Sequence, residues 1–72
     1  MIKEGDLLSA RTSGTLTYGG SLTTGDVAFV SFVEQKDVMV IHVIVGDDIL
    51  RVRLNDRHDH EHLFEILARI EE

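Results

Sequence analysis

The residues with the densest chemistry are Arg57 to His62, RHDHEH. Three of the four histidines, His58, His60 and His62, alternate there with Asp59 and Glu61. Neutral imidazole and carboxylate groups are donors that hold Zn2+ or a similar ion at about 2.0–2.2 Å. In an extended chain the three histidines share one face, but neighbours on that face stand about 6.6 Å apart. In a helix, His58 and His62 stack at i, i+4. Neither arrangement supplies three converging ligands, so a metal site here needs a further residue or subunit. The competing reading is a solvated corner. LND precedes the stretch, HLFEIL follows it, and Asp56 or Asp59 would cap the start of a helix or 3-10 turn. The corner reading is favoured, with His58, His60 and His62 kept as metal candidates and no resident cofactor implied.

The other polar candidates are more scattered. His42 interrupts the apolar run VMVIHVIV, where a buried ring needs a hydrogen-bond partner; Ser31 on the preceding strand is one. Ser9, Ser13, Ser21 and Ser31 lie in no nucleophile-elbow context, and no nucleophile–base–acid set assembles on paper. The segment SGTLTYGGSLTTGD is rich in glycine and hydroxyl groups, yet no Lys follows in a P-loop pattern and no helix opens after it. It reads as a mobile connector or, more sharply, as a recognition loop. In the second reading Thr15, Thr17 and Ser21 offer hydrogen bonds and Tyr18 an amphipathic anchor. Arg51 and Arg53 project from one face of a strand. They either pair with Asp47, Asp48 or Glu34 at a solvated edge, or grip a carboxylate or phosphate, as Arg does bidentately.

The elements that must position these residues are β-strands. Gly and Asp punctuate the chain at EGDLL, SGTL, YGGS, TTGDV, QKD, VGDD and LND, with β-branched runs between them, the pattern of an all-β meander. The expected strands are Asp6 to Thr12, Val27 to Glu34, Val38 to Val45 and Ile49 to Asn55, with residues 13–26 forming an open hairpin or Ω-like loop. The last of these four alternates, with Leu50, Val52 and Leu54 inward and Arg51 and Arg53 outward. The two middle strands are apolar on both sides. Val27, Phe29 and Val33 are expected on one face of the first, and Ala28, Val30 and Phe32 on the other. A strand covered on one side only alternates, so both faces should be covered by barrel curvature, by the C-terminal segment or by another subunit. Residues 63–71 fit two periods. Leu63, Ile66, Leu67 and Ile70 suit a helix, as does the composition, whereas Phe64, Ile66, Ala68 and Ile70 suit a strand.

Bulk properties narrow the function classes. The 72 residues form one domain, 1–72, of a size that buries only about 60% of its unfolded surface and often relies on a staple or a partner. There is no Cys, which removes disulfides, thiol nucleophiles and Cys-based zinc sites. Net charge is −6, and cations are what phosphate backbones reward, so nucleic acid is a disfavoured partner. The start, MIKEGD, has no apolar core of a secretory signal. The longest apolar run, at eight residues, falls well short of the roughly 20 that span a membrane. A cytoplasmic location is expected, in the host if the gene is phage-encoded.

Taken together, IKEGDLL, the three hairpin-linked strands and LFEIL resemble the small SH3-like barrels, including KOW-type domains and many short bacterial and phage proteins. Gly5, Asp6 and Leu7 match the opening, Phe64 to Leu67 match the close, and Leu22 to Val30 resembles the strand entry after the first long loop. The resemblance implies an all-β barrel of about five antiparallel strands, with a short C-terminal helix or 3-10 turn as the alternative ending. Two departures matter. Of the aromatic residues that line SH3 peptide grooves only Tyr18 has a counterpart, and the basic surface of KOW-type domains is outnumbered by acids. The expected function is a non-enzymatic module that binds another protein or itself, in specific form a phage-encoded modulator or inhibitor of a host protein. The alternatives are a metal- or small-ligand-binding protein using the His58–His62 cluster and a structural or assembly subunit.

Overall fold

The computed structural model describes residues 2–55 and 62–69. Its strands are β1 (Leu7–Ala10), β2 (Gly14–Thr15), β3 (Ser21–Leu22), β4 (Val27–Gln35), β5 (Met39–Val45), β6 (Asp48–Leu54) and β7 (Phe64–Ala68). Five of them form one antiparallel sheet in the order β6-β5-β4-β1-β7. The other two make a separate hairpin. This is the expected small, barrel-like all-β domain. Residues 13–26 fold as a hairpin and not as an Ω-loop.

Two short turns with the same chemistry organise the sheet. In KEGD, Gly5 takes a φ of 89°, the Asp6 amide donates to the Lys3 carbonyl, and the Asp6 carboxylate accepts the Lys3 amide at 2.8 Å. In TTGD, Gly25 takes a φ of 94°, the Asp26 amide donates to Thr23, and the Asp26 carboxylate accepts the Thr23 amide at 2.9 Å. A positive φ at the third position is the signature of a type II turn and explains the glycine in both. Each turn also clasps the strand that the other launches. Gly5 donates to the Val30 carbonyl and Val30 to Asp6, while Gly25 donates to the Ala10 carbonyl and Ala10 to Asp26. The GD pairs thus lock the register of β1 against β4 from both ends.

One face of the sheet closes over the core. Ile2, Leu8, Val30, Ile41, Val43 and Leu54 are its largest fully buried side chains, and Leu22 and Phe64 pack into the same cluster. On β6 the expected alternation holds, with Val52 and Leu54 buried and Arg51 and Arg53 exposed.

One expectation is corrected and one open alternative is settled. The first concerns β4. The pairing of β4 with β5 shifts between Val30 and Phe32, so Ser31 is an extra residue in the ladder. A bulge moves every later side chain to the opposite face. Phe32 therefore leaves Ala28 and Val30 and joins Val27 and Phe29 on the outer face, while Val33 turns inward beside Ile41. The second concerns the C-terminal segment. Phe64–Ala68 is a strand paired with β1, despite its helix-favouring composition. The main-chain groups on the free edge of β1 supply partners that outweigh weak intrinsic propensity. Helical backbone is confined, among the described residues, to His62 and Leu63, just before β7.

Candidate functional site, the outer face of the sheet

The face opposite the core is built row by row from the strand register. Ala68, Leu7, Phe29, Ile44 and Ile49 stand side by side across β7, β1, β4, β5 and β6. Neighbours in such a row have Cβ atoms about 4.5–5.5 Å apart, so the five side chains form one apolar band over the whole sheet. Val27, level with Ser9, extends it at one end. At the other end comes the row Phe32, His42 and Arg51, then Glu34, Val40 and Arg53. The band is open to solvent: Phe32 is 51% exposed, Phe29 40% and Ile49 70%. Among the described residues, then, none covers this face as the core face is covered. Large apolar side chains gathered in one patch, and not scattered singly, are what mark interaction surfaces.

His42 belongs to this face and not to the core. Its ring meets Phe32 edge-on with centroids 5.3 Å apart, and its Nε2 lies 3.7 Å from Glu34 Oε2. Ser31, the expected partner of the ring, instead donates its hydroxyl to the His42 backbone carbonyl at 3.1 Å. The Ser31 hydroxyl thus ties the bulge to the main chain of β5.

The β2–β3 hairpin separates the polar residues singled out from the sequence into two places. Thr15 pairs with Ser21 in the hairpin ladder, and both are exposed. Thr15, Thr17 and Arg53 line a hollow of about 180 Å3 together with Thr12, Leu16 and Leu22. Tyr18, at the hairpin tip, lies beside β6, where the Arg51 guanidinium carbon sits 5.2 Å from its ring centroid, a cation–π contact. Tyr18 also borders a second, shallow hollow with Glu34, Lys36, Asp37, Val38 and Val40. Tyr18 and Arg51 are therefore brought together at the margin of the outer face, Arg53 stands between that face and the first hollow, and Thr15, Thr17 and Ser21 lie apart from the band. Arg51 finds an aromatic ring in place of the expected Asp47, Asp48 or Glu34.

His58 and His60 lie outside the described residues, and His62 is exposed. Among the described residues no group of three His, Asp or Glu side chains is arranged to hold a metal ion. No helix among them is long and apolar enough to cross a membrane. The residues that sequence reasoning did not name as a site are Leu7, Phe29, Phe32, Ile44 and Ile49. Their signal was the two-sided apolar pattern of the middle strands.

Fold and surface together define a small all-β, barrel-like domain with an exposed apolar sheet face. Among solved structures it is similar to an integron cassette protein from the mobile metagenome of Vibrio cholerae. That likeness has a TM-score of 0.71 and 14% sequence identity, over 93% of this chain and 87% of that one. At this identity the likeness concerns the fold alone. No family model matches the chain, and no curated protein does.

Proposed function

We propose that the chain is a non-enzymatic interaction module whose working surface is the outer face of the five-stranded sheet. The observation that carries this reading is the apolar row Leu7, Phe29, Ile44 and Ile49, extended by Phe32 and left uncovered by any described residue. Burying such side chains contributes about 25 cal/mol per Å2 of apolar surface removed from water. A face of this kind gains more from a partner than from solvent. The rim suits the same role, since Tyr18 and Arg51 are residue types enriched at binding hot spots. In its specific form the module is a modulator of a host protein, encoded on mobile DNA and acting in the cytoplasm. A short accessory gene of this sort would share that setting with the cassette protein of similar fold.

The test uses paired baits, the wild-type chain and a Phe29→Ser/Phe32→Ser variant checked for native circular dichroism. Proteins retained from a bacterial lysate are identified, purified and titrated against both baits, and self-association of the two baits is measured alongside. The reading requires at least one association, with a purified protein or with the chain itself, that the double variant weakens tenfold or more. If all associations are equal for the two baits, the outer face is not the working surface.

A further inference from the structure

The β2–β3 hairpin touches β6 at its tip and stands away from the sheet at its base. At the tip, Gly20 lies so close that a Cβ there would meet Leu50 Cδ2 at 2.8 Å, and Tyr18 rests on Arg51. At the base, a Cβ on Gly14 would meet nothing within 4 Å. Gly14 is not among the glycines of positive φ, so its backbone does not call for glycine. It is paired with Leu22, and residues directly opposite in a ladder project to the same face. The missing side chain leaves room beside Leu22. That room belongs to the hollow of about 180 Å3 that both residues line.

The lining of this hollow divides by chemistry. Leu22 and Val52 are buried, and Leu16 and Leu63 pack on the same core, which gives an apolar floor. Thr12 and Thr17 stand on the wall and make no side-chain hydrogen bond among the described residues. Ser13 and Thr24 of the same segment, by contrast, bond to each other. Arg53 completes the wall and has no ion pair among the described residues, in a chain of net charge −6. Other cations are engaged: Arg51 by Tyr18, Arg69 by Asp6 and Lys36 by Glu34. Glu34 shares the row of Arg53 but stands two strands away, across Val40.

We infer that the hollow under the hairpin binds a small aliphatic carboxylate. Its hydrocarbon body lies on the leucines and Val52, and its carboxylate accepts from Arg53 and the threonine hydroxyls. The guanidinium fork matches a carboxylate bidentately, and a single cation suits a monoanion better than a phosphate dianion. An apolar lining with a few polar groups that fix orientation is the usual make-up of a ligand site. A cavity of about 150 Å3 holds a benzene molecule, so this hollow takes about six to eight non-hydrogen atoms, an acid of about four to six carbons. So few atoms limit the affinity, and a dissociation constant of about 1 mM is expected. The site is distinct from the outer face and does not depend on it.

The probe is 4-methylpentanoate, titrated at neutral pH into the 15N-labelled chain and followed by amide shifts. Saturable shifts are expected at Gly14, Thr15, Thr17, Val52 and Arg53. The amide of the same acid keeps the shape without the charge and is expected to bind about tenfold more weakly or worse. Arg53→Met keeps an apolar stem and should weaken the acid by a similar factor while leaving the amide unchanged. Gly14→Val fills the room beside Leu22 and should weaken both. Unchanged shifts away from the hollow establish that each variant folds. The inference is overturned by the absence of saturable shifts, or by shifts confined to Phe29, Phe32 and Ile44 of the outer face. Equal affinity for acid and amide overturns it too, as does wild-type binding of the acid by either variant.

Discussion

The two faces of the five-stranded sheet are made of nearly the same residue types. Inward, Val30, Ile41, Val43 and Leu54 are sealed; outward, Phe29, Phe32, Ile44 and Ile49 are exposed by 38% or more. Ile41 and Ile44 lie three residues apart on one strand, the first fully buried and the second open. Hydrophobicity by itself therefore does not say which face is core. The deciding elements are positional: Leu22 of the β2–β3 hairpin and the N-terminal residue Ile2 pack into the core on one side, and the Ser31 bulge assigns Phe32 to the other. The lesson is that an apolar pattern on both sides of a strand announces two tasks, one of folding and one of association.

The largest effect expected from separating those tasks is at Ile41. Ile41→Ala removes a fully buried side chain and is expected to cost about 2–5 kcal/mol, the transfer loss plus the cavity left behind. For a domain this small that is a large share of the total. Urea unfolding should show the midpoint falling steeply or the chain failing to fold. Ile44→Ala, by contrast, should cost about 1 kcal/mol or less in the monomer; equal losses at the two positions would erase the distinction between the faces.

Next in size is a contrast between the two GD turns, where identical chemistry is placed in different surroundings. Asp6 is 2% exposed and its carboxylate, besides accepting the Lys3 amide, lies 3.6 Å from Arg69 Nε. Asp26 makes the equivalent hydrogen bond to Thr23 near the surface. Asp6→Ala leaves a donor short of its partner in a dry site and is expected to cost about 2 kcal/mol. Asp26→Ala, where water replaces the lost acceptor, should cost about 1 kcal/mol or less. Chemical denaturation of the two variants side by side reads the difference, and a larger loss at Asp26 would reverse the assignment of inside and outside at the β1–β4 junction.

These contrasts also mark how much was legible in the sequence. The turns, the hairpin-linked middle strands and the alternation of β6 were readable because each is set by residues adjacent in the chain. The face of Phe32 was not, since an extra residue in a ladder is defined by the partner strand and leaves no mark in a run such as VAFVSFVE. The strand at Phe64–Ala68 was undecided for a related reason: its composition favours helix, and its pairing with β1 joins residues more than 50 positions apart. The contact of Tyr18 with Arg51 is likewise long-range. The apolar outer face was half legible. That the middle strands had two apolar sides was plain, but which residues stayed uncovered depended on where the hairpin came to rest.

The smallest expected effect on the isolated chain is at Ile49, and it is the most informative about association. Ile49 ends the apolar row on edge strand β6 and is 70% exposed. Thr shares its β-branched shape, so Ile49→Thr keeps strand propensity and should change monomer stability by no more than about 0.5 kcal/mol. Its consequence appears only when the face is occupied. Anything that binds the folded state alone raises apparent stability with concentration, so where the occupant is a second copy the wild-type melting temperature should climb as the protein is concentrated from micromolar to near-millimolar. With Ile49→Thr the climb should flatten while the dilute melting temperature stays where it was. A wild-type melting temperature independent of concentration would mean that the outer face does not meet another copy, and that its exposed isoleucines and phenylalanines await a different partner.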